Sequence, residues 1–240
     1  MSEFDPSIYR LLVVDDDALV LEMITETLRR SGFQVATATS AEEALNWMRR
    51  HGLPHLAVLD INMPFGMDGL ELCHTIHTFC DLPMVMLTAV EDEEVITLAI
   101  ESCAEDYLTK PFLPGELIAR IRRILRRIGD FAFPLESLTR VDGYLSIDFV
   151  GCMAIVANRP VSLTPTETKL LYILVRTAKK TVSNHFLLRR LWPNDTNHDE
   201  RLRVYIHRLR SKIEAANPDH QYIRSERGHG YLFMPFEKDT

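Results

Sequence analysis

Four apolar runs in the first half of the chain each end in a polar residue of a chemically useful kind, and this repetition restricts the fold more than any other feature. LLVV runs into Asp15 and Asp16, LAVL into Asp60, MVML into Thr88, and DYLT into Lys110. Stretches of helical period separate the runs. The chain therefore reads as strand 10–15, helix 18–31, strand 33–38, helix 41–50, strand 56–60, helix 69–78, strand 83–88, helix 92–102, strand 106–109 and helix 114–128. Five successive βα units predict an α/β fold, a doubly wound five-stranded parallel (βα)5 sheet with helices on both faces. Such a sheet gathers its strand tips at one crevice, outside the carboxyl ends.

Three carboxylates in one crevice repel one another unless a divalent cation is recruited, and Mg²⁺, which prefers oxygen ligands and keeps several waters, suits a site with room for a phosphoryl group. Asp15 and Asp16 are the expected metal holders. Asp60 is the expected nucleophile, because a carboxylate can form an acyl phosphate. Lys110 supplies a point charge for one phosphoryl oxygen, and Thr88 a hydroxyl for another. A lone Asp at a strand end is usually a turn or cap residue, whereas five groups at matching strand ends are far more specific.

Local signals refine the reading. Ser40 with Glu43 has the spacing of a capping box, and Gly32 stands where a C-terminal cap would end the first helix. The helix over 114–128 places Leu117, Ile121, Ile124, Leu125 and Ile128 on one side and five arginines on the other. No run approaches ~18 apolar residues and the first ten residues form no signal segment, so a soluble, cytoplasmic protein without membrane attachment is expected. The four cysteines follow no metal or disulfide spacing and are expected to be small core residues.

The net charge of −7 conceals a split. Residues 1–127 carry 11 Lys+Arg against 21 Asp+Glu, net −10, and residues 128–240 carry 16 against 13, net +3. A basic block on an acidic chain points to a polyanion surface, hence nucleic acid, for the second half only, although a solvated basic face explains the charge equally well. The pattern breaks over residues 129–137, a linker that divides a first domain (1–128) from a second (138–240). In the second, YLSIDF, CMAIVA and PVSL read as a small antiparallel sheet, and Thr164-Pro-Thr-Glu167 starts a helix over 165–177. Helices over 183–191 and 199–215 follow, then strands 221–224 and 231–234 around an Arg227-Gly-His-Gly230 turn. On the helix 199–215, Leu202, Tyr205, Ile206, Leu209 and Ile213 form one stripe. Arg203, His207 and Arg210 flank it on one side, and Arg201, Arg208 and Lys212 on the other. Such a helix can lie in a major groove, with arginine on guanine edges and the remaining cations on phosphates. Taken alone, the helix is better explained as a surface helix with scattered arginines.

At the crevice residues the chain resembles the receiver domain of bacterial two-component response regulators, through VVDDD at 13–17, VLDINMP at 58–64, LTA at 87–89 and DYLTKPF at 106–112. The resemblance implies that Asp60 accepts a phosphoryl group from a sensor histidine kinase, that the backbone carbonyl of Asn62 completes the Mg²⁺ ligands, and that Thr88 and Tyr107 form a switch pair. It also implies a receiver dimer, with Asp106, Arg120 and Glu116 at its interface. The second half, through SLTPTETKLL, LLRRLW, RVYIHRLRSKI and YIRSERGHGYLF, resembles the α+β winged-helix DNA-binding domain of OmpR/PhoB-type regulators. That implies a recognition helix at 199–215, a wing at 222–231 carrying Arg224 and Arg227, promoter DNA as partner, and a loop at 192–199 that touches RNA polymerase.

The chain departs from the receiver pattern at three points. Three residues, Phe65, Gly66 and Met67, separate Pro64 from Asp68-Gly69 where two are usual; Cys103 replaces a common Gly; and Ile96 replaces a basic partner for Glu116. In the second half, His207 stands where Arg is frequent, and Glu226 sits beside the wing arginine. Two competitors remain at this stage. One is a regulator of the same build that ignores phosphate. The other is an aspartyl-phosphate phosphatase, disfavoured because Asn62 occupies the position of its second acid. Beyond slow Mg²⁺-dependent self-phosphorylation from small donors and self-dephosphorylation, no enzyme activity is expected.

Overall fold

The computed structural model describes residues 4–88, 104–128, 135–193, 199–215 and 220–236. Its contacts divide the chain into two compact units, one built on residues 1–77 and 82–130, the other on 131–240 together with 78–81.

In the first unit the apolar runs become β1 (Arg10–Val14), β2 (Gln34–Ala38), β3 (Leu56–Asp60), β4 (Met84–Thr88) and β5 (Asp106–Thr109). They pair in parallel in the order β2-β1-β3-β4-β5. All five residues of β3 and of β4 are buried, as expected of central strands covered on both faces. The helices α1 (Ala18–Arg30), α2 (Ala41–His51), α3 (Gly69–Phe79) and α4 (Pro114–Ile128) supply the cover. From α1 come Leu21, Ile24 and Leu28, and from α4 Leu117, Ile121, Ile124 and Leu125, all buried. The apolar side predicted for the last helix is thus its core face, with Ile128 at the margin. The predicted helix 92–102 lies outside the described residues, as do Ala89, Val90, Ile96 and Cys103.

Two cap predictions can be checked atom by atom. Gly32 follows α1 with φ +93°, a conformation that favours glycine. Ser40 Oγ accepts the Glu43 N–H at 3.1 Å, but the Glu43 carboxylate reaches past the cap to the Thr39 N–H and hydroxyl, at 2.7 and 2.8 Å. The cysteine expectation needs correction. Cys80 and Cys152 are not disulfide-bonded, whereas Cys73, buried on α3, is. Disulfide formation depends on the approach of two Cα atoms in space, which spacing along the chain does not report.

At the amino end of the sheet, His55 Nδ1 accepts the Arg10 backbone N–H at 2.8 Å. Only a neutral ring can do so. Burial first, and the Arg10 guanidinium second, push the imidazole from 6.5 down to about 4. Between these values the unfolded chain binds the proton that the folded one refuses, so stability must fall as pH drops through this window. Between pH 6.5 and pH 5 the loss is on the order of 2 kcal/mol at ~1.36 kcal/mol per pH unit. Urea unfolding read from Trp47 in a Trp192→Phe background at pH 7.5 and pH 5 is expected to show it. His55→Gln, which keeps an acceptor and cannot titrate, should flatten the slope; equal pH slopes in both proteins would refute the assignment.

In the second unit, β6 (Thr139–Arg140), β7 (Leu145–Asp148), β8 (Met153–Val156) and β9 (Arg159–Ser162) form an antiparallel sheet in sequence order. Three helices follow: α5 (Pro165–Arg176), α6 (Asn184–Leu191) and α7 (Asp199–Ile213). The predicted Thr164–Glu167 capping box opens α5 in full, with Glu167 N–H to Thr164 Oγ1 at 3.4 Å and Thr164 N–H to Glu167 Oε2 at 2.8 Å. The closing hairpin β11 (Ile223–Glu226) and β12 (Gly230–Phe233) gains a third strand, β10 (Thr181–Ser183), giving the order β10-β12-β11. At Gly230 a Cβ would stand 1.9 Å from the Val182 carbonyl oxygen, so the approach of β12 to β10 requires glycine there.

Candidate functional site

The parallel pairing delivers the predicted tips to one end of the sheet. Asp15 follows β1, Asp60 closes β3, Thr88 closes β4 opposite Thr109 in register, and Lys110 follows β5. Lys110 N–H donates to the Thr88 carbonyl at 2.7 Å, so the backbone of β5 is locked to β4 beside the crevice. The Lys110–Pro111 peptide bond is cis.

In the Asp15-Asp16-Asp17 run each carboxylate has a different job. Asp15, 0% exposed, accepts the Asp17 N–H on Oδ1 at 3.0 Å and the Lys110 ammonium on Oδ2 at 2.7 Å. Asp16 is exposed at the mouth. Asp17 caps α1, accepting the N–H groups of Leu19 and Val20 at 2.8 and 3.4 Å. Ligand oxygens of Asp15, Asp16 and Asp60 lie within 4.8 Å of one another.

Asp60 is 4% exposed. Lys110 Nζ stands 2.9 Å from its Oδ1, close enough for an ion pair, but not aligned as a hydrogen bond, and this buried oxygen meets no other donor among the described residues. Such an acceptor, among two further carboxylates, fits a hard divalent cation. Burial pushes the Asp60 carboxyl above its ordinary range; Lys110 pulls against that, while Asp15 and Asp16 add to it. Burial disfavours the Lys110 ammonium, but its hydrogen bond to Asp15 and its attraction to Asp60 and Asp15 outweigh this and hold it above the ordinary lysine value.

The loop with one residue more than usual leaves this arrangement intact. Phe65, 87% exposed, points to solvent, and Gly66 turns with φ +82°. At the end of the loop the Asp68 carboxylate accepts the Glu71 N–H at 2.8 Å while Glu71 accepts the Asp68 N–H at 3.1 Å. That reciprocal pair opens α3. Gly69, the next residue, lies directly on the Asp60 backbone, where a Cβ would fall 1.9 Å from the Asp60 carbonyl oxygen. Asn62 is exposed in the same loop, and Tyr107 is half-buried on β5. Asp106 and Arg120 pair within the chain at 2.8 and 3.0 Å. Arg123 adds a bond to Asp106 at 2.6 Å, and Arg120 also holds Glu116 at 2.7 Å.

In the second unit Leu202, Ile206, Leu209 and Ile213 are buried, Tyr205 is partly so, and Arg201, Arg203, His207 and Arg208 are exposed. The Arg201 guanidinium lies 4.5 Å from the Trp192 ring centroid, and Trp192 packs against Tyr205 at 5.3 Å. Arg224 and Arg227 are exposed on the wing. Two cations of the helix are committed elsewhere. Lys212 Nζ binds Glu167 Oε2 at 2.7 Å and the Ser162 carbonyl at 2.9 Å. Arg210 bonds the Ile223 carbonyl and the Ser225 hydroxyl at 3.0 and 2.9 Å. The helical wheel places Arg210 and Lys212 on basic flanks and carries no sign of these tertiary partners. Most of the predicted polymerase loop, 194–198, lies outside the described residues.

A parallel five-stranded sheet with this acidic crevice, followed by a basic helix and wing, defines a DNA-binding response regulator. Residues 11–122 match the family described as "Response regulator receiver domain", and residues 158–233 the family described as "Transcriptional regulatory protein, C terminal". The "DNA-binding response regulator MtrA" of Mycolicibacterium paratuberculosis is 38% identical over 227 residues, covering 94% of this chain and 98% of that protein. The "Transcriptional regulatory protein AfsQ1" of Streptomyces coelicolor is 37% identical over 226 residues, with 94% and 98% covered. Among solved structures, the response regulator DrrB, a Thermotoga maritima OmpR/PhoB homolog, covers 94% of this chain and 99% of its own, at 30% identity and a TM-score of 0.46. The chain belongs to the two-domain response regulators that join a receiver to a transcriptional regulatory domain. No helix among the described residues is long and apolar enough to cross a membrane.

Proposed function

We propose that this protein is a cytoplasmic transcription regulator switched by phosphorylation of Asp60 from a sensor histidine kinase. The observation that carries the reading is the buried Asp60 oxygen 2.9 Å from Lys110, beside two further carboxylates. An Asp60 oxygen attacks phosphorus on the donor imidazole; the P–N bond breaks as the P–O bond forms, and the released imidazole takes a proton from solvent. Asp15, Asp16, Asp60 and the Asn62 carbonyl would hold Mg²⁺, which when bound neutralises charge on the phosphoryl oxygens. Lys110 meets one of those oxygens and the Thr88 hydroxyl another. With Thr88 drawn toward the new charge and Tyr107 following, the face that carries β5 and α4 changes state. The Asp106, Arg120 and Glu116 pairs, intramolecular in the single chain, are groups that a second receiver can meet when the protein dimerises.

Dimerisation sets two winged helices on half-sites about one DNA turn apart. Arg201, Arg203, His207 and Arg208 then face the major groove and phosphates, with Arg224 and Arg227 on the wing, and RNA polymerase is the further partner. Apart from slow phosphoryl uptake from small donors and self-dephosphorylation, the protein catalyses no turnover.

Intact mass after incubation with Mg²⁺ and acetyl phosphate tests the switch. Wild type is expected to gain one phosphoryl group, Asp60→Ala none, and wild type with excess chelator none. Uptake by Asp60→Ala equal to wild type would sink the assignment. No uptake by folded wild type, with a histidine kinase also tried, would favour regulation without phosphate.

A further inference from the structure

β11 is the edge strand of the wing sheet, so backbone groups on its outer side need partners from outside the sheet. At Ile223, which is buried, both partners come from α7 and the turn that follows it. The Ile223 N–H donates to Glu214 Oε1 at 2.9 Å, and its carbonyl accepts from Arg210 Nε at 3.0 Å. Arg210 and Glu214 stand one helical turn apart, and the Glu214 N–H bonds the Arg210 carbonyl at 2.8 Å. Arg210 also extends Nη2 to Ser225 Oγ at 2.9 Å, two residues further along the strand. One guanidinium thus spans two successive outward positions of β11 while the carboxylate beside it holds the first.

This differs from the exposed cations of the helix. Arg203, His207 and Arg208 are exposed, whereas Arg210 is half-buried with Nε and Nη2 already bonded. Turning it toward a phosphate would strip the Ile223 carbonyl of its donor at a buried residue, which is unfavourable. The strand it holds leads directly to Arg224 and Arg227.

We propose that Arg210 is a positioning residue: with Glu214 it clamps the wing to the recognition helix, so that Arg224 and Arg227 reach DNA in register with Arg203, His207 and Arg208. The inference rests on the reading of those residues as DNA contacts, and its test separates the two.

The first measurement uses the full chain without DNA. Amide hydrogen exchange over residues 223–226 is expected to accelerate at least ~10-fold in Arg210→Met and in Glu214→Met, but not in Arg203→Met, because an opened clamp frees those amides locally. The second uses fluorescence anisotropy from 50 to 300 mM KCl, as order-of-magnitude settings, with a duplex selected from a random library by the wild-type protein. Arg210→Met should weaken binding about tenfold with the salt slope unchanged, whereas Arg203→Met should lower the slope by about 0.9, as expected for one lost phosphate contact. Arg227→Ala should cost little on the Arg210→Met background, since the unclamped wing no longer delivers that residue. Ser225→Ala, which leaves Ile223 bonded and the fold undisturbed, should show the same non-additivity with Arg227→Ala at smaller size. A slope lowered by about 0.9 in Arg210→Met with exchange unchanged would make Arg210 an ordinary phosphate contact and overturn the proposal. If the wild type enriches no duplex, the DNA-contact reading fails, and the exchange data still decide on the clamp.

Discussion

Lys212→Met is expected to destabilise the second unit by about 2–4 kcal/mol at pH 7, far more than the loss of an exposed cation from the same helix. Glu167, 2% exposed, shares Oε2 between the Thr164 N–H and Lys212 Nζ. Burial alone would push the Glu167 carboxyl up, but Lys212 and Thr164 outweigh it and hold the group below its ordinary range. Without the ammonium, a carboxylate at the start of α5 stays buried with only the groups of Thr164 to hold it. The cost lies below that of a fully enclosed pair because water reaches the Lys212 side chain, which is 32% exposed. A lowered carboxyl contributes stability above its unfolded value of 4.5 that is lost as pH falls through the folded one. Wild type and variant should therefore converge as pH falls toward 4.

Trp192 reports on this unit alone in a Trp47→Phe background, which matters because a two-unit chain need not unfold in one step. Urea midpoints at pH 7 and pH 4 give the comparison. Glu167→Gln combined with Lys212→Met should recover most of the loss, since no charge then remains buried. A Lys212→Met loss under ~0.5 kcal/mol, the range of ordinary surface substitutions, would show that the pair contributes nothing.

The same residue shows where sequence reading stops. A helical wheel built from residues 199–215 separates buried from exposed positions, and Leu202, Ile206, Leu209 and Ile213 are buried as predicted. It says nothing about cations that leave the wheel to meet groups elsewhere, as Lys212 does at Ser162 and Glu167 and Arg210 does at Ile223. The acidic crevice was legible for the opposite reason. Strand period and βα alternation are local signals, and parallel pairing carries every strand tip to the same edge without further information. Asp17 was hidden inside that success, since three adjacent carboxylates look alike until one caps a helix. β10 escaped because three residues offer no alternation to count, and its strand character comes from pairing with β12. The Cys73 disulfide escaped because proximity across a fold leaves no trace in spacing.

Gly69, the first residue of α3, lies on the backbone of Asp60 at the end of β3, and Gly69→Ala is expected to be a severely damaging single-methyl change in the first unit. The added Cβ would fall 1.9 Å from the Asp60 carbonyl oxygen, 2.8 Å from its carbonyl carbon and 2.9 Å from Ile61 Cα. All three are backbone atoms and no rotamer relieves the overlap, so either α3 lifts from β3 or the end of β3 is pushed toward the crevice. The Gly69 N–H, which bonds the Ile61 carbonyl at 3.1 Å, moves with it. A cost of about 4 kcal/mol or more follows, in the range reserved for named steric or cavity defects. Urea unfolding read from Trp47 in the Trp192→Phe background measures it. Because the displaced atoms belong to Asp60 itself, phosphoryl uptake from acetyl phosphate should slow at least tenfold even where the variant is fully folded, about 1.4 kcal/mol in barrier. Gly66→Ala provides the contrast. The nearest atom to a Cβ there is Glu42 Oε1 at 2.9 Å, the end of a flexible side chain, and with φ +82° the penalty is confined to an exposed loop. Its uptake rate should match wild type. Equal stability and uptake in Gly69→Ala and wild type would mean that the α3 start is not packed against the Asp60 backbone as closely as the 1.9 Å approach requires.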